Sequence, residues 1–318
     1  MKALATVFIG ILSFGTAFAA DPYPVKPIRM IVGFAPGGGT DLTARPVAQK
    51  LSELLGQQVI VENRPGAAGN IATEQVARAA PDGYTLLMGT IAALAINPSL
   101  YGNLRFDPET DLAPVIQVVD ATNVLALHPS VPASSVKELI ALAKEKSLSA
   151  GSSGVGATGH LAIELFNLMA GVKLVHVPYK GGGPAMSDLV GGQVQLIFAT
   201  TASSIPHLKS GRIKGIAVTT AKRSALLPEL PTISEAGLAG FDANNWYGLV
   251  VPAKTPRAII DQLNAEVTKI LAMPEVKTTL FNQGLDPAPG TPEQFGAYIK
   301  SERAKWARVI KESGAKAE

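Results

Sequence analysis

Short apolar segments alternate with helical segments along most of this chain. The apolar segments that predict β-strands are 28–34, 58–62, 85–89, 115–119, 124–128, 147–152, 172–177, 194–199 and 215–219. Several are almost uninterrupted apolar runs, which is typical of parallel strands buried on both faces. The segments between them predict helices at 41–55, 69–79, 135–146, 159–170, 184–191 and 203–209. This alternation predicts an α/β fold with doubly wound open sheets and right-handed crossovers.

The alternation is interrupted twice. Around 115–124 two apolar runs follow each other with only four residues between them, Asp120, Ala121, Thr122 and Asn123. Around 241–252 an extended run leads into a tail that we interpret as entirely helical, with helices at 256–273 and 292–311. We interpret both interruptions as crossings between two lobes.

The lobe boundaries follow from these crossings. One lobe is predicted to consist of residues 20–120 plus 246–318, and the other of residues 121–245. A chain of 318 residues favours two domains over one. Two crossings would form a two-strand hinge, which suits closure around a ligand. The alternative is one continuous large sheet without a hinge.

Residues 1–19 have the pattern of a secretory signal peptide. Lys2 supplies the positive charge, an apolar segment follows, and Ala17-Phe18-Ala19 fits a cleavage site. The alternative is a membrane anchor, but the apolar stretch is short for a membrane span. The chain has no cysteine, which excludes disulfides, thiolate catalysis and a lipid anchor on an N-terminal cysteine. We therefore expect a cleaved, freely soluble protein of the bacterial periplasm.

Charge and residue spacing exclude several other functions. The formal net charge is +3, and no basic run is longer than a pair such as Lys222-Arg223, so no nucleic-acid partner is expected. The four histidines lack metal-ligand spacing, and no nucleophile–base signature is present. We predict no metal, no cofactor and no catalytic residue, and we expect a monomer.

A strand, a glycine-rich loop and a helix occur in this order at two places. The first loop is 35–41 and the second is 154–160. Each should present free backbone N–H groups at a helix N-terminus, which favours binding of an anion. The alternative is that the glycines only make tight turns. With one loop on each lobe, the pair predicts a cleft that binds one small anion, a carboxylate or a phosphate.

Both loops resemble nucleotide-binding motifs, but incompletely. Gly154, Gly156 and Gly159 match the dinucleotide fingerprint, yet the next strand ends at 175–180 without the carboxylate that holds the ribose. The first loop, with Gly37-Gly38-Gly39-Thr40, lacks the lysine of a phosphate loop. We therefore do not expect a nucleotide.

Some single residues near the loops have two interpretations each. Thr40 and Asp41 either cap the first helix or belong to the site, where Asp41 would hold an ordered water or a ligand ammonium. His160 either contacts the ligand or is a packed or capping histidine. Trp246 and Tyr247 either pack in the core or form an aromatic wall of the pocket.

Six motifs in a fixed order point to a known family. They are FAPGGGTD at 34–41, VENRPGAAGN at 61–70, PDGYTL at 81–86, GVGATGH at 154–160, VPYKGGGP at 177–184 and WYG at 246–248. With these motifs the whole mature chain resembles the solute-binding receptors of the tripartite tricarboxylate transporter family, the Bug proteins. The resemblance implies a two-lobed periplasmic binding protein of type II, with a venus-flytrap closure and an organic carboxylate as ligand.

The resemblance also implies a set of ligand-binding residues. These are Ala35, Pro36, Gly37, Gly38, Gly39, Thr40 and Asp41 of the first loop; Gly156, Ala157, Thr158, Gly159 and His160 of the second; and Asn63, Tyr179, Thr200, Thr201 and Ala202 beside them. The implied partners are the membrane subunits of a tripartite tricarboxylate transporter, which would receive the carboxylate. Two alternatives are an exported hydrolase-type enzyme acting on a carboxylate in the same cleft, and a ligand sensor for a two-component system, read by a sensor kinase.

Overall fold

The computed structural model describes residues 23–317, which form a mixed α/β fold. The predicted signal peptide, residues 1–19, lies outside the described residues. The strands are β1 (Ile28–Val32), β2 (Val59–Asn63), β3 (Thr85–Thr90), β4 (Leu112–Ala121), β5 (Asn123–Leu127), β6 (Ser149–Ser152), β7 (Val175–Pro178), β8 (Leu196–Thr200), β9 (Lys214–Val218), β10 (Asn245–Pro252) and β11 (Leu285–Pro287).

Helices connect most of these strands. They are α1 (Gly39–Leu55), α2 (Asn70–Ala77), α3 (Asn97–Leu100), α4 (Val136–Glu145), α5 (Thr158–Ala170), α6 (Gly182–Val190), α7 (Thr201–Lys209), α8 (Arg257–Ala272), α9 (Pro274–Phe281) and α10 (Pro292–Ser313), with a 3₁₀ turn at Ala67–Gly69 and a π-helical turn at Ala92–Ile96. Within residues 23–317, no helix is long and apolar enough to cross a membrane.

The strands form two separate sheets. The first has the order β11-β4-β10-β3-β1-β2 and the second the order β7-β6-β8-β5-β9. β4 belongs to the first sheet and β5 to the second, and only Thr122 separates them. The chain returns to the first sheet between β9 and β10. The prediction of an α/β fold with two sheets is therefore confirmed, whereas the lobe boundaries at 120 and 246 stay a prediction.

The direction of the strands follows from these two crossings. β1 is parallel to β2 and β3, and β6 is parallel to β7 and β8. β5 and β10 are antiparallel to both of their neighbours. They start at the crossings and run away from them, whereas the neighbouring strands end there. The expectation that several apolar runs pair in parallel holds for β1 and β3, whereas β4, β5 and β9 pair antiparallel, so the sheets are mixed.

The C-terminal tail corrects another expectation. It is not entirely helical, because β11 lies between α9 and α10 and pairs antiparallel with β4. This strand has only three residues, too few for a recognisable strand pattern. The π-helical turn and α3 were also not predicted. Helix α10 packs against β4, the π-helical turn and α5, so it contacts helices or strands associated with both sheets.

Hydrogen bonds hold the two crossing segments side by side. The Thr219 N–H donates to the Asn123 carbonyl at 3.0 Å. The Thr201 N–H and hydroxyl both donate to the Thr122 carbonyl, at 2.8 and 2.7 Å. Because β1, β3, β6 and β8 end near these crossings, the space between the sheets lies at the carboxyl ends of their strands. That position is the usual ligand-binding place in open α/β sheets.

Helix α5, which follows the second glycine loop, ends at a left-handed residue, Gly171 (φ 61°). A Cβ at this position would meet no atom within 4 Å, so the backbone conformation alone requires glycine.

We predict that Gly171→Ala lowers the free energy of unfolding by about 1 kcal/mol, because an L-residue is strained in the left-handed region. Urea denaturation would measure this. Gly102→Ala is the matched control, since a Cβ there also meets open space and its φ is not left-handed. Equal stability of the two variants would contradict the explanation.

Candidate functional site

The first glycine loop leads from β1 into α1. Gly38 is the N-cap of this helix, with extended backbone (φ −80°, ψ 165°) and no side-chain cap. The first helical hydrogen bond runs from Leu42 N–H to the Gly38 carbonyl at 3.0 Å. The N–H groups of Gly39, Thr40 and Asp41 therefore precede the hydrogen-bonded part of the helix and carry its positive dipole end.

The second glycine loop is arranged in the same way. Ala157 is the N-cap of α5, again without a side-chain cap. The first helical bond runs from Leu161 N–H to the Ala157 carbonyl at 3.2 Å. The N–H groups of Thr158, Gly159 and His160 precede it. Two helix N-termini, one at the end of β1 and one after β6, thus offer backbone donors.

Both loops border one cavity between the sheets. The space between its lining atoms is about 590 Å³, a volume that includes solvent at the open mouth. Seven of the predicted ligand-binding residues line it: Gly38, Gly39, Thr40, Ala157, Thr158, Gly159 and Thr200. The two halves of the site approach closely at Gly39, where a Cβ would lie 2.6 Å from Tyr247 Oη and 3.3 Å from Thr200 Oγ1. Only glycine fits between these side chains without displacing them.

The wall of the cavity is polar but uncharged. Besides the two loops and Thr200, it contains polar side chains that the sequence did not single out: Thr90, Asn123, Ser153, Ser203 and Asn245. No charged side chain is found among its lining residues in the described part of the chain. Thr90 ends β3, and Asn123 and Asn245 begin β5 and β10. A polar residue at the end of a buried apolar strand is the sequence signal that could have identified these three.

The aromatic pair at the second crossing has two different roles. Tyr247 lines the cavity, and Asn245 Nδ2 donates to its Oη at 3.1 Å. Burial raises the pKa of Tyr247 to about 12, so the phenol stays neutral and can donate a hydrogen bond. Trp246 is fully buried and packs against Phe295, with ring centroids 5.5 Å apart. The pocket-wall interpretation therefore fits Tyr247, and the core interpretation fits Trp246.

Asp41 has a different role from the one expected at the pocket edge. Its Oδ1 accepts from Arg45 Nη2 at 2.8 Å and from Asn63 Nδ2 at 2.9 Å. Its Oδ2 accepts from Arg45 Nε at 2.9 Å and from Gly37 N–H at 3.0 Å. These four bonds occupy the carboxylate, and its side chain does not line the cavity. The prediction that Asp41 holds a water or an ammonium is thus replaced by a role in fixing the loop.

The electrostatics of Asp41 agree with this role. Burial by itself would raise the pKa of this carboxyl group. The hydrogen bonds from Arg45, Gly37 and Asn63 outweigh that effect and hold the pKa of Asp41 below its usual range. The capping interpretation therefore describes Asp41 better than the site interpretation does, because its side chain reaches back from the first turn of α1 to accept from the Gly37 N–H. It does not hold for Thr40, because the N-cap is Gly38.

His160 lies beneath the second loop rather than on the cavity wall. Its Nδ1 accepts from Gly156 N–H at 3.1 Å, and its ring stacks on His176 at 4.1 Å between centroids. Burial lowers the pKa of His160 to about 4, so the ring is neutral at physiological pH. The hydrogen bond fixes Gly156, whose φ of 83° and close packing against Asn97 and Tyr101 require glycine.

A serine–histidine pair occurs below the same loop. Ser152 Oγ and His176 Nε2 are 2.6 Å apart, a distance that also occurs in hydrolases. Ser152 is completely buried, does not line the cavity, and also bonds the backbone of Gly154. Burial, and then the neighbouring His160, lower the pKa of His176 to about 3. This pair stabilises the turn of the loop and does not resemble an accessible nucleophile with its base.

The remaining predicted residues lie near the cavity without lining it. Asn63 Nδ2 donates to the Phe34 carbonyl as well as to Asp41. Tyr179 borders a second, neighbouring cleft, where its hydroxyl donates to Asp188 at 2.6 Å. Thr201 donates hydrogen bonds from its N–H and its hydroxyl to the Thr122 carbonyl in the first crossing. Ligand contacts by these residues, and by Ala35, Pro36, Gly37, Gly156 and Ala202, stay predictions.

We predict that Asp41→Asn lowers the free energy of unfolding at neutral pH by about 2 kcal/mol, because an amide cannot accept the two-pronged bond from Arg45. The folded-state pKa of Asp41 is lowered, so its stabilisation is complete above the usual carboxyl range. It is lost as the pH falls through the lowered pKa. The stability difference from wild type, measured by urea denaturation, should therefore shrink in strong acid.

The matched control for this prediction is Glu53→Gln, on the exposed part of the same helix. Glu53 is itself exposed, and its surface pairs with Lys50 and Gln49 are worth little, so its replacement should leave stability nearly unchanged. If Asp41→Asn destabilised the protein equally at neutral and acidic pH, the charge of Asp41 would not be the cause.

Comparison with known proteins places this arrangement in a family. The family described as tripartite tricarboxylate transporter family receptor matches residues 43–315. BugT of Bordetella pertussis is 37% identical over 99% of this chain and 98% of its own length. The family model begins after β1 and the first glycine loop, whereas the BugT match spans nearly the whole chain, including both loops.

Solved structures agree with the sequence comparison. Rpa4515 of R. palustris with adipate has a TM-score of 0.90 and 39% identity, covering 92% of this chain and 99% of that one. MatC of Rhodopseudomonas palustris with bound malate has a TM-score of 0.86 and 31% identity, covering 91% and 100%. The periplasmic binding protein BugD has a TM-score of 0.88 and 37% identity, covering 93% and 100%. These matches confirm the predicted periplasmic-binding-protein fold.

The family consists of solute-binding receptors, so the expectation that the protein is not an enzyme is confirmed. The chain belongs to the receptor family of the tripartite tricarboxylate transporters, the TctC or Bug family.

Proposed function

We propose that this receptor binds a small organic carboxylate in the cavity between its two sheets and delivers it to the membrane subunits of a tripartite tricarboxylate transporter. The lobes would be residues 20–120 plus 246–318 and residues 121–245, which close around the ligand through the paired crossing segments. Residues 1–19 would direct export and be removed, so the receptor would act in the periplasm as a monomer.

This proposal rests on one observation: the N-termini of two helices border the same cavity, whose lining residues are uncharged. A helix N-terminus has a partial positive charge and free N–H donors, and here α1 and α5 contribute one each. Since no charged side chain lines the cavity in the described residues, these backbone groups are the main source of positive potential there. They favour an anion of the size of a carboxylate.

The geometry also supports a coupling of binding to closure. Gly38, Gly39 and Thr40 come from the first sheet's side of the cavity, and Ala157, Thr158 and Gly159 from the second. A ligand that contacts both loops binds the closed form more tightly than the open form and shifts the population towards it. Two relatives support the ligand class, since the structures of Rpa4515 and MatC contain adipate and malate.

We predict that the protein binds short organic carboxylates but not their methyl esters. The ester keeps the shape and loses the charge that the helix N-termini favour. Isothermal titration calorimetry with hexanoate, adipate and malate, each beside its methyl ester, measures the difference. Ester binding as tight as that of the acids, or no binding of any carboxylate tested, would refute the proposed ligand class.

Delivery to a transporter requires a separate experiment. We predict that proteoliposomes containing the membrane subunits encoded with this receptor take up the bound carboxylate only when the receptor is present. A receptor with Gly39→Glu is a suitable control, because the added carboxylate between Thr200 and Tyr247 occupies the cavity and prevents ligand capture. Uptake that does not depend on the receptor would contradict the delivery role.

A further inference from the structure

The side chain of Asn123 is the most unusual polar group of the cavity. The residue is 1% exposed and lies at the first crossing, where β5 begins. Neither its Nδ2 nor its Oδ1 has a hydrogen-bond partner among residues 23–317. Because both amide atoms lack partners, this conclusion does not depend on which way the amide is oriented. The residue also lines the cavity that the two loops border.

A second side chain on the same wall shares this property. Thr90 is 5% exposed, and its Oγ1 has no partner in the described part of the chain. Thr90 ends β3 and lines the same cavity. By contrast, the neighbouring Asn245 is satisfied, since its Nδ2 donates to Tyr247 and its Oδ1 accepts from Trp246 N–H. Asn123 and Thr90 thus both line the cavity with buried polar atoms that have no partner among the described residues.

Leaving buried polar groups unpaired is unfavourable for folding. Such groups are paired in the great majority of native structures, and an exception in a binding cavity points to a ligand that completes the pairing. The carboxylate that the helix N-termini favour accepts hydrogen bonds only. It can satisfy Asn123 Nδ2, but it has no donor for Asn123 Oδ1. The ligand must therefore bring a donor as well.

The absence of charged side chains on the described wall specifies what kind of donor this is. An ammonium group here would have no carboxylate from the protein beside it, and it would lie near two positive helix ends. A second carboxylate would again leave Asn123 Oδ1 unpaired. An uncharged group with one donor and one acceptor, such as a carboxamide or a hydroxyl, fits the Asn123 amide without either cost.

Building on the proposed function, we propose that this receptor selects carboxylates that carry an additional uncharged donor–acceptor group, a carboxamide or a hydroxyl, and that Asn123 is the residue that recognises this group. Thr90 contributes a hydroxyl to the same recognition. Asn123 is thus a specificity-determining residue, whereas the loops at α1 and α5 determine affinity for the carboxylate common to all ligands.

A series of ligands of equal length tests this directly on the wild-type protein. It consists of the six-carbon acids hexanoate, 6-hydroxyhexanoate, 6-aminohexanoate, adipate and adipate monoamide, with the corresponding four-carbon acids as a shorter set. We expect the carboxamide or hydroxyl derivative of at least one series to bind about 10-fold or more tightly than the unsubstituted acid, because a site built to pair a polar group discriminates strongly against its absence. Tighter binding of the ω-amino acid or the diacid than of both uncharged derivatives would overturn the proposal.

The variant Asn123→Leu links this preference to the residue. Leucine has the same branched arrangement of side-chain heavy atoms and no polar atoms, so the preference for the uncharged derivatives over the unsubstituted acid should disappear. Asn123→Ala is measured in parallel in case the leucine variant does not fold, and thermal unfolding reports folding of both. Asn103→Leu, at an exposed position outside the cavity, is the control and should keep the preference.

The outcomes separate this inference from the proposed function. If carboxylates bind but their methyl esters do not, and the uncharged derivatives have no advantage, then the ligand class is supported and the role of Asn123 is refuted. A preference that persists in both Asn123 variants refutes that role as well. If no acid of either series binds and the esters do, the proposed function itself fails.

Discussion

Backbone N–H groups at the starts of α1 and α5 require an acceptor that the helices themselves cannot supply, and the architecture of the site depends on this requirement. The two helices start from strands of different sheets, and their donors meet in one cavity because the strands end at the same cleft. A charged side chain in the wall would compete with this weak backbone potential. In the proposed function, the uncharged wall allows these two partial dipole charges to determine the ligand class.

The charged residues near the first loop support this arrangement indirectly. Asp41 is a conspicuous acid at a helix N-terminus, but the charge of Arg45 balances its own, and its four hydrogen bonds to Arg45, Asn63 and Gly37 hold the loop in place. His160 acts similarly below the second loop, as a neutral acceptor for the Gly156 N–H. In both loops a titratable side chain fixes the backbone, and the loop backbone borders the cavity.

Sequence patterns were informative where local chemistry decides the structure. Apolar runs and helical segments predicted the strands and most of the helices up to β10, though not α3 or the π-helical turn, and the break at 120–123 predicted the passage from one sheet to the other. The three-residue strand β11 was missed because its pairing with β4 is a long-range contact without a local pattern. The antiparallel direction of β5 was also not visible, because the same apolar run suits a buried strand of either direction.

The amino-acid sequence by itself determined the glycine loops and their helix N-termini, because these properties depend on neighbouring residues only. The tertiary structure decided which side chains line the cavity. It turned the side chains of Asp41 and His160 to the support of the loops, and it brought Thr90, Asn123 and Asn245 to the wall of the cavity. These three residues lie far apart in the chain. They line one cavity only because the two sheets meet at the crossing segments, and no local sequence pattern predicts such a long-range arrangement.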